Sequence, residues 1–225
     1  MGRAVKEGVA AALADTRPLE DALAPFGRKA ASPLIGFLCA TDPRLRWRAV
    51  EGLGRVAAEM GRSDREAVRV ILRRLWWMLN DESGGIGWGA PEALAEIIAR
   101  GAPALADEFG KLLLSLLNPE GNFLELPVLR KGAVWGAGRL CRVRPELCSG
   151  AERHISPGLS SPDPEGRGFA AWALAAFAKL PGGAEAILQG LADDPSEILL
   201  YTGDALAVTT VGRLAQAALA GRARP

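Results

Sequence analysis

A weak internal repeat constrains this 225-residue chain more than any other sequence feature. Five stretches align on a small or polar residue that is followed four positions later by an apolar one. The aligned pairs are Ala49/Leu53, Ala90/Leu94, Ala133/Ala137, Ala170/Leu174 and Thr202/Leu206. Successive pairs lie about 40 residues apart, a period typical of two-helix modules that stack on one another. The sequence therefore predicts about five helical hairpins.

Aspartate followed by proline opens the second helix of several predicted hairpins, at Asp42-Pro43, Asp163-Pro164 and Asp194-Pro195. Aspartate accepts hydrogen bonds from the free N–H groups of a first helical turn, and proline at the first position lacks such a group. Strand patterns are nearly absent, so we expect helices throughout. The predicted hairpins pair residues 32–40 with 43–60, 64–79 with 88–100, 103–117 with 126–142, 145–158 with 164–180, and 183–192 with 197–220.

Charge and cysteine content exclude several classes of function. Lys and Arg number 27 and Asp and Glu 26, for a net charge of +1, which argues against a strongly electrostatic nucleic-acid or membrane binder. The three cysteines, Cys39, Cys141 and Cys148, lack CxxC spacing, and the chain has one histidine, so we expect no metal and no cofactor. The odd cysteine count predicts reduced thiols and a cytoplasmic protein. No stretch is long and apolar enough to predict a membrane span.

Two openings carry a resemblance to a known family: Asp-Pro-Arg-Leu-Arg-Trp-Arg-Ala-Val at 42–50 and Asp-Pro-Glu-Gly-Arg-Gly-Phe-Ala at 163–170. They resemble HEAT repeats, especially the short kind found in phycobilisome-lyase-like proteins, and the resemblance extends over residues 32–215. It implies an all-α, right-handed α-α superhelix (an armadillo-like α-solenoid) in a single domain, 1–225. Residues 1–31 would form an N-terminal cap and residues 32–220 the repeats. It also implies a non-catalytic interaction scaffold with a concave groove.

Equivalent positions of a solenoid line one face, so we expect the aligned helices to carry the binding residues. Tryptophans and carboxylates recur there, at Trp47, Glu51, Trp88, Glu92, Trp135 and Trp172. In one interpretation these side chains line a groove for a protein, a peptide or a small ligand. In the other, the tryptophans are buried between helix layers and the acids face water.

Two unusual turns add candidate residues. The glycine-rich segment 80–92 contains Asp81 and Glu82, and the corresponding turn of the next unit, 118–126, contains Glu125 and is followed by Arg130. Glycine lets the backbone of the first segment approach a ligand closely, although the same segment could be only a tight turn. The carboxylates could bind a basic peptide or a cation, perform acid–base chemistry, or serve as helix caps and solvated ion pairs.

Enzymatic alternatives come from the same resemblance. Some HEAT-like proteins resemble DNA glycosylases that act on alkylated bases, and the lyase-like resemblance implies a cofactor lyase or chaperone. Arg65, Arg69 and Arg73 share a helix face that could contact phosphates or could be a solvated outer face. Glu51 and Glu92 would repel phosphates, so we do not expect a nucleic-acid partner. The apolar terminal helix could form a homodimer.

Overall fold

The computed structural model describes residues 2–80 and 87–220. Within these residues the chain forms twelve α-helices, three short 3₁₀ helices and one two-stranded sheet. The chain divides into two compact units, Met1–Ala106 and Asp107–Pro225, and the boundary falls within α7. Each unit is described separately below.

The first unit consists of helices joined by short turns. Its helices are α1 (Gly2–Ala14), α2 (Leu19–Leu23), α3 (Ala31–Phe37), α4 (Pro43–Gly61), α5 (Arg65–Leu79), α6 (Ala90–Arg100) and the start of α7 (Pro103–Ser115). A 3₁₀ turn at Gly27–Ala30 leads into α3. Helix α4 packs against both α3 and α6, and α6 also contacts α5. Helix α6 is buried on all sides from Ala90 to Ile98, so it forms the centre of this unit.

The second unit contains helices and a β-hairpin. After α7 come α8 (Pro127–Val143), α9 (Glu152–Ile155), α10 (Pro164–Leu174), α11 (Ala184–Leu191), β1 (Glu197–Tyr201), β2 (Leu206–Thr210) and α12 (Val211–Ala220). The 3₁₀ helices Pro145–Leu147 and Ser156–Ser160 flank α9. Helix α10 packs against α8 on one side and α12 on another. Of the apolar residues that suggested a dimer, Val211 and Leu214 of α12 are buried within this unit, whereas Val208 of β2 is exposed.

Two of the predicted helix starts are confirmed by their caps. The backbone N–H of Arg44 donates to Oδ1 of Asp42 (2.9 Å), and that of Glu165 donates to Oδ1 of Asp163 (3.1 Å). In both cases proline follows the capping aspartate as the first helical residue. The Asp-Pro signal therefore places the starts of α4 and α10 correctly.

Glycines allow helices of the stack to approach closely. A Cβ atom on Gly54 of α4 would lie 2.6 Å from Cγ of Glu96 on α6, and one on Gly138 of α8 would lie 2.7 Å from Cα of Ala173 on α10. Contacts this short are too close for carbon atoms. The packing role that the recurring glycines suggested is confirmed at these two positions.

The predicted helix over 197–220 is wrong in its first half. Residues Glu197–Tyr201 and Leu206–Thr210 form an antiparallel hairpin in which Glu197 pairs with Thr210 and Tyr201 with Leu206. Branched and aromatic side chains favour strands, and Gly203 takes a φ of +101° in the turn, which other residues rarely adopt. Asp194 caps no helix here; its carboxylate accepts hydrogen bonds from the N–H of Ser196 and from Arg167.

The expectation of reduced cysteines is also wrong, because Cys141 and Cys148 form a disulfide. Their Cα atoms are 5.6 Å apart, since the 3₁₀ helix Pro145–Leu147 turns the chain back towards the end of α8. A spacing of seven residues does not reveal this turn. Cys39 lies outside the disulfide and is exposed. The cysteine count therefore no longer supports a reducing compartment.

Replacing Cys148 with serine should lower the free energy of unfolding by about 2 kcal/mol, because the disulfide restricts the unfolded chain by closing a short loop. Urea unfolding followed by tryptophan fluorescence, without reductant, measures the change. Cys39→Ser is the matched control and should change stability by less than about 0.5 kcal/mol. Equal stability of the two variants would contradict a stabilising role for the disulfide.

None of the helices in the described ranges combines the length and the hydropathy needed to cross a bilayer.

Candidate functional site

The second unit contains a groove of about 1070 Å³ whose lining is mainly apolar. Three separate segments form it: the turn that follows α7, the first two turns of α8, and the stretch from α9 to the start of α10. Its lining residues include Phe123, Val128, Arg130, Lys131, Val134, Arg153, His154, Ser160 and Asp163. The groove therefore joins the second unusual turn of the sequence to two helix starts.

The turn at 118–126 is held in place from several sides. Oδ1 of Asn118 accepts from the N–H of Glu120 (3.1 Å), and the amide of Asn122 donates to Oγ of Ser115 (2.9 Å). Leu124 is buried, and its N–H donates to the carbonyl of Leu116 (3.0 Å). These contacts fix the neighbouring Phe123, which is half-buried in the wall of the groove.

Arg130 is positioned by the ring of Phe123. Its guanidinium carbon lies 4.9 Å from the ring centroid, within the range of a cation–π contact. Among the described residues, no hydrogen-bond acceptor takes up the N–H groups of this guanidinium. Arg130 forms no salt bridge with any carboxylate in the described parts of the chain.

Arg153 is the second cation of the groove that has no carboxylate partner within residues 2–80 and 87–220. Its Nε donates to Nε2 of His154 (3.1 Å), which orients the guanidinium but leaves its charge uncompensated. Arg153 is exposed and His154 is half-buried. The two arginines therefore present positive charge to an apolar groove.

Lys131 differs from these arginines because its charge is neutralised. Its Nζ donates to Oδ2 of Asp163 (2.7 Å) and to Oε2 of Glu165 (2.6 Å). Burial acts to lower the pKa of Lys131, but the hydrogen bonds and charges of the two carboxylates outweigh burial and raise this pKa above its ordinary value. Lys131 thus fastens α8 to the start of α10 and is not available to a ligand.

The first unit contains four of the sequence-predicted site residues within its described part. Trp47 and Glu92 are buried, and Glu51 is half-buried and accepts a hydrogen bond from Arg55 (2.9 Å). Trp88 is 36% exposed in the turn that precedes α6. In this turn Gly89 has a φ of +71° and lies against the backbone of Leu38. Asp81 and Glu82 lie outside the described residues, and Arg65 of the predicted basic stripe is exposed.

Two predicted tryptophans of the second unit come together in its core. Trp135 is fully buried, and its ring stacks on Trp172 (5.9 Å between centroids) and on Tyr201 of the hairpin (6.0 Å). Its Nε1 donates to the carbonyl of Tyr201 (2.7 Å). The interpretation in which tryptophans are buried between layers therefore describes Trp135 and Trp172.

Arg142 completes this aromatic cluster. Its guanidinium carbon lies 3.7 Å from the centroid of the Trp172 ring, and its Nη1 donates to the carbonyl of Gly138 (2.8 Å). Burial, together with the positive charge of Arg139, lowers the pKa of Arg142 to about 10. Arg142 thus remains charged at neutral pH and acts as a structural cation.

Sequence reasoning identified part of the groove. Arg130 lines it, and Glu125 lies exposed in the adjoining turn. Phe123 belongs to that turn, whereas no sequence pattern marks Arg153 or His154 as binding residues. Arginine beside histidine gives no distinctive pattern in a sequence, so only the folding of three distant segments reveals their proximity. Within the described ranges, no three His, Cys, Asp or Glu side chains come together as ligands for a metal ion.

No protein-family model matches the chain. A protein of Archaeoglobus fulgidus, described as uncharacterized, is 37% identical over 112 residues, which cover 50% of this chain and 54% of that protein. The chain therefore spans about half the length of the curated relative that it matches.

Solved structures with a similar fold include designed armadillo repeat proteins and engineered proteins. A designed armadillo repeat protein has a TM-score of 0.59 at 22% identity, over 98% of this chain and 92% of that one. An engineered protein has a TM-score of 0.60 at 20% identity, over 100% and 92% of the two chains. A third, a designed armadillo repeat protein in complex with the peptide (KR)4, has a TM-score of 0.54 at 22% identity, over 95% and 98%.

These likenesses confirm the predicted class of fold, a mostly helical, armadillo-like repeat solenoid, to which the hairpin β1–β2 is added. The finer assignment to short HEAT repeats of the phycobilisome-lyase-like kind stays a prediction.

Proposed function

We propose that this chain is a non-catalytic binding module that receives an extended peptide or protein segment in the groove beside Phe123 and Arg130. The observation that carries the proposal is the groove itself: about 1070 Å³, mainly apolar, with a few polar groups at fixed positions. Binding sites combine these properties, because apolar area supplies affinity and sparse polar groups supply orientation.

The class of fold supports a peptide as the ligand. A designed armadillo repeat protein of similar fold holds the peptide (KR)4. Stacked helical modules present extended surfaces, and these suit a linear chain better than a compact small molecule. The proposed groove is also built from turns and helix ends, where binding residues of repeat arrays are often carried.

The glycosylase alternative receives less support from the geometry. It would use tryptophan, aspartate and arginine on a concave surface, but Trp47, Trp135 and Trp172 are buried. Trp88 remains the most accessible tryptophan of the predicted set, at 36% exposure, and it belongs to the first unit. The candidate groove contains Phe123 as its aromatic side chain instead.

Filling the groove should weaken peptide capture. Ser160 is exposed in the groove wall, so Ser160→Trp adds bulk there without removing a core contact. Peptides are first selected from a random library displayed on phage against the full chain, and their dissociation constants are then measured by fluorescence anisotropy. We expect Ser160→Trp to weaken binding at least about tenfold, which corresponds to about 1.4 kcal/mol.

Ser63→Trp serves as the matched control, because Ser63 is also exposed but lies in the turn between α4 and α5, outside the lining of the groove. It should bind the selected peptides as the unmodified chain does. The proposal fails if the library yields no enriched peptides, or if Ser160→Trp binds them as tightly as Ser63→Trp.

A further inference from the structure

We infer that the segment received by the groove is acidic, with apolar side chains flanked by Asp or Glu carboxylates that pair with Arg130 and Arg153. The inference rests on the proposed function, since it specifies the chemistry of the ligand for that same groove.

The first argument is the balance of compensated and uncompensated charge. Among the cations that line the groove, Lys131 is neutralised by Asp163 and Glu165, whereas Arg130 and Arg153 have no carboxylate partner in the described parts of the chain. Guanidinium groups pair with carboxylates through parallel N–H donors in a fixed geometry. Two such groups beside apolar surface match a ligand that alternates apolar and acidic residues.

The second argument is that both guanidiniums are oriented before binding. Arg130 lies over the ring of Phe123 at 4.9 Å, and Arg153 is tied to His154 through Nε. Ordering an arginine side chain on binding costs conformational entropy, and these contacts reduce that cost. Each of the two arginines also has N–H donors that bond to no carboxylate and no backbone acceptor among the described residues.

The third argument comes from the start of α8. This helix begins at Pro127 with Leu126 at its N-cap, and no side chain caps it, in contrast to the starts of α4 and α10. Pro127 and Val128 both line the groove. The partial positive charge of a helix N-terminus therefore adds to that of the two arginines.

A peptide fits this charge better than a nucleic acid does. Binding to a phosphate backbone uses several cations together, and here two uncompensated arginines face a groove that also contains Glu120. A basic peptide such as (KR)4 is also disfavoured, because its positive charges would be repelled by Arg130 and Arg153. The apolar side chains of the ligand would lie over Phe123, Val128 and Val134.

The net charge of the peptides selected on the full chain tests the inference. We expect the enriched peptides to carry a net negative charge, and their affinity to fall as salt is added. Arg130→Gln and Arg153→Gln should each weaken binding by about three- to tenfold, the range expected for partly exposed charge pairs. Arg213→Gln, an exposed arginine of α12 outside the groove, is the matched control and should leave affinity unchanged.

Glu120→Gln provides a change in the opposite direction. Removing this carboxylate from the groove should tighten binding of acidic peptides, by about twofold or more. A gain in affinity cannot result from misfolding, so this variant keeps the inference testable even where an arginine variant is unstable.

The outcomes separate the two proposals. One outcome refutes the acidic ligand but leaves the proposed groove supported. In it, peptides are enriched and Ser160→Trp weakens their binding, but the peptides are neutral or basic, or their affinity does not change in the arginine and Glu120 variants. If no peptide is enriched, or Ser160→Trp has no effect, the proposed function falls and the inference falls with it. A labelled DNA duplex that binds more tightly than the peptides, through Arg130 and Arg153, would also overturn the inference.

Discussion

Replacing Trp135 with alanine should lower the free energy of unfolding of the second unit by about 3 to 5 kcal/mol. The side chain is fully buried between Trp172 and Tyr201, so its removal leaves a cavity and breaks two ring stacks. The hydrogen bond from its Nε1 to the carbonyl of Tyr201 is lost as well. Urea unfolding followed by circular dichroism measures the change.

Two further variants separate burial from the hydrogen bond. Trp135→Phe keeps an aromatic ring in the stack but removes the N–H donor, and should cost about 1 to 2 kcal/mol. Trp77→Ala is the matched control, because Trp77 of α5 is 66% exposed and its removal should change stability by less than about 0.5 kcal/mol. If Trp135→Ala proved as mild as Trp77→Ala, Trp135 would not be a core residue.

Replacing Arg100 with methionine should destabilise the first unit by about 3 kcal/mol. Glu96 on α6 has no exposed side-chain surface, and Arg100, one turn later, pairs with its carboxylate. The methionine keeps most of the apolar stem of the arginine but leaves a carboxylate inside the protein without this cation. Because a buried carboxylate that loses its cation is costly, the loss should exceed that of removing a surface ion pair.

The double variant Glu96→Leu/Arg100→Met tests this explanation. Leucine approximates the volume of glutamate and removes the charge, so the double variant should recover most of the stability that Arg100→Met loses. The exposed pair of Glu59 on α4 and Arg62 just after this helix is the matched control, and Arg62→Met should change stability by less than about 0.5 kcal/mol. No recovery in the double variant would show that packing, rather than charge, accounts for the loss.

Local signals in the sequence predicted the helical part of the fold well. Asp42 and Asp163 cap helices because one short polar side chain and the following proline are enough to start a helix. The same dipeptide at Asp194-Pro195 precedes a strand, because Arg167 and Ser196 take the carboxylate of Asp194 and the next residues favour a hairpin. The Asp-Pro signal therefore predicts where a regular element begins more reliably than whether that element is a helix or a strand.

The candidate groove could be predicted only in part. Arg130 and the turn at 118–126 were recognisable because that turn breaks the pattern of the repeat. Arg153 contributes through a long-range approach of chain segments, and nothing in the sequence around it signals this. The repeat alignment identifies equivalent positions, but it does not distinguish the side that faces a neighbouring helix from the side that faces solvent, as the burial of Trp135 and Trp172 illustrates.

The hairpin β1–β2 has a consequence for how such a chain can lengthen during evolution. Modular helical proteins grow by duplication, because each copy offers its successor the same apolar surface. Here Ile198 of β1 lies against Gly168 of α10, and Tyr201 lies against Trp135 of α8. A duplicated module inserted after residue 196 would meet strands in place of a matching helical face. A duplication at this point would preserve the core only if β1 kept its contacts with α8 and α10.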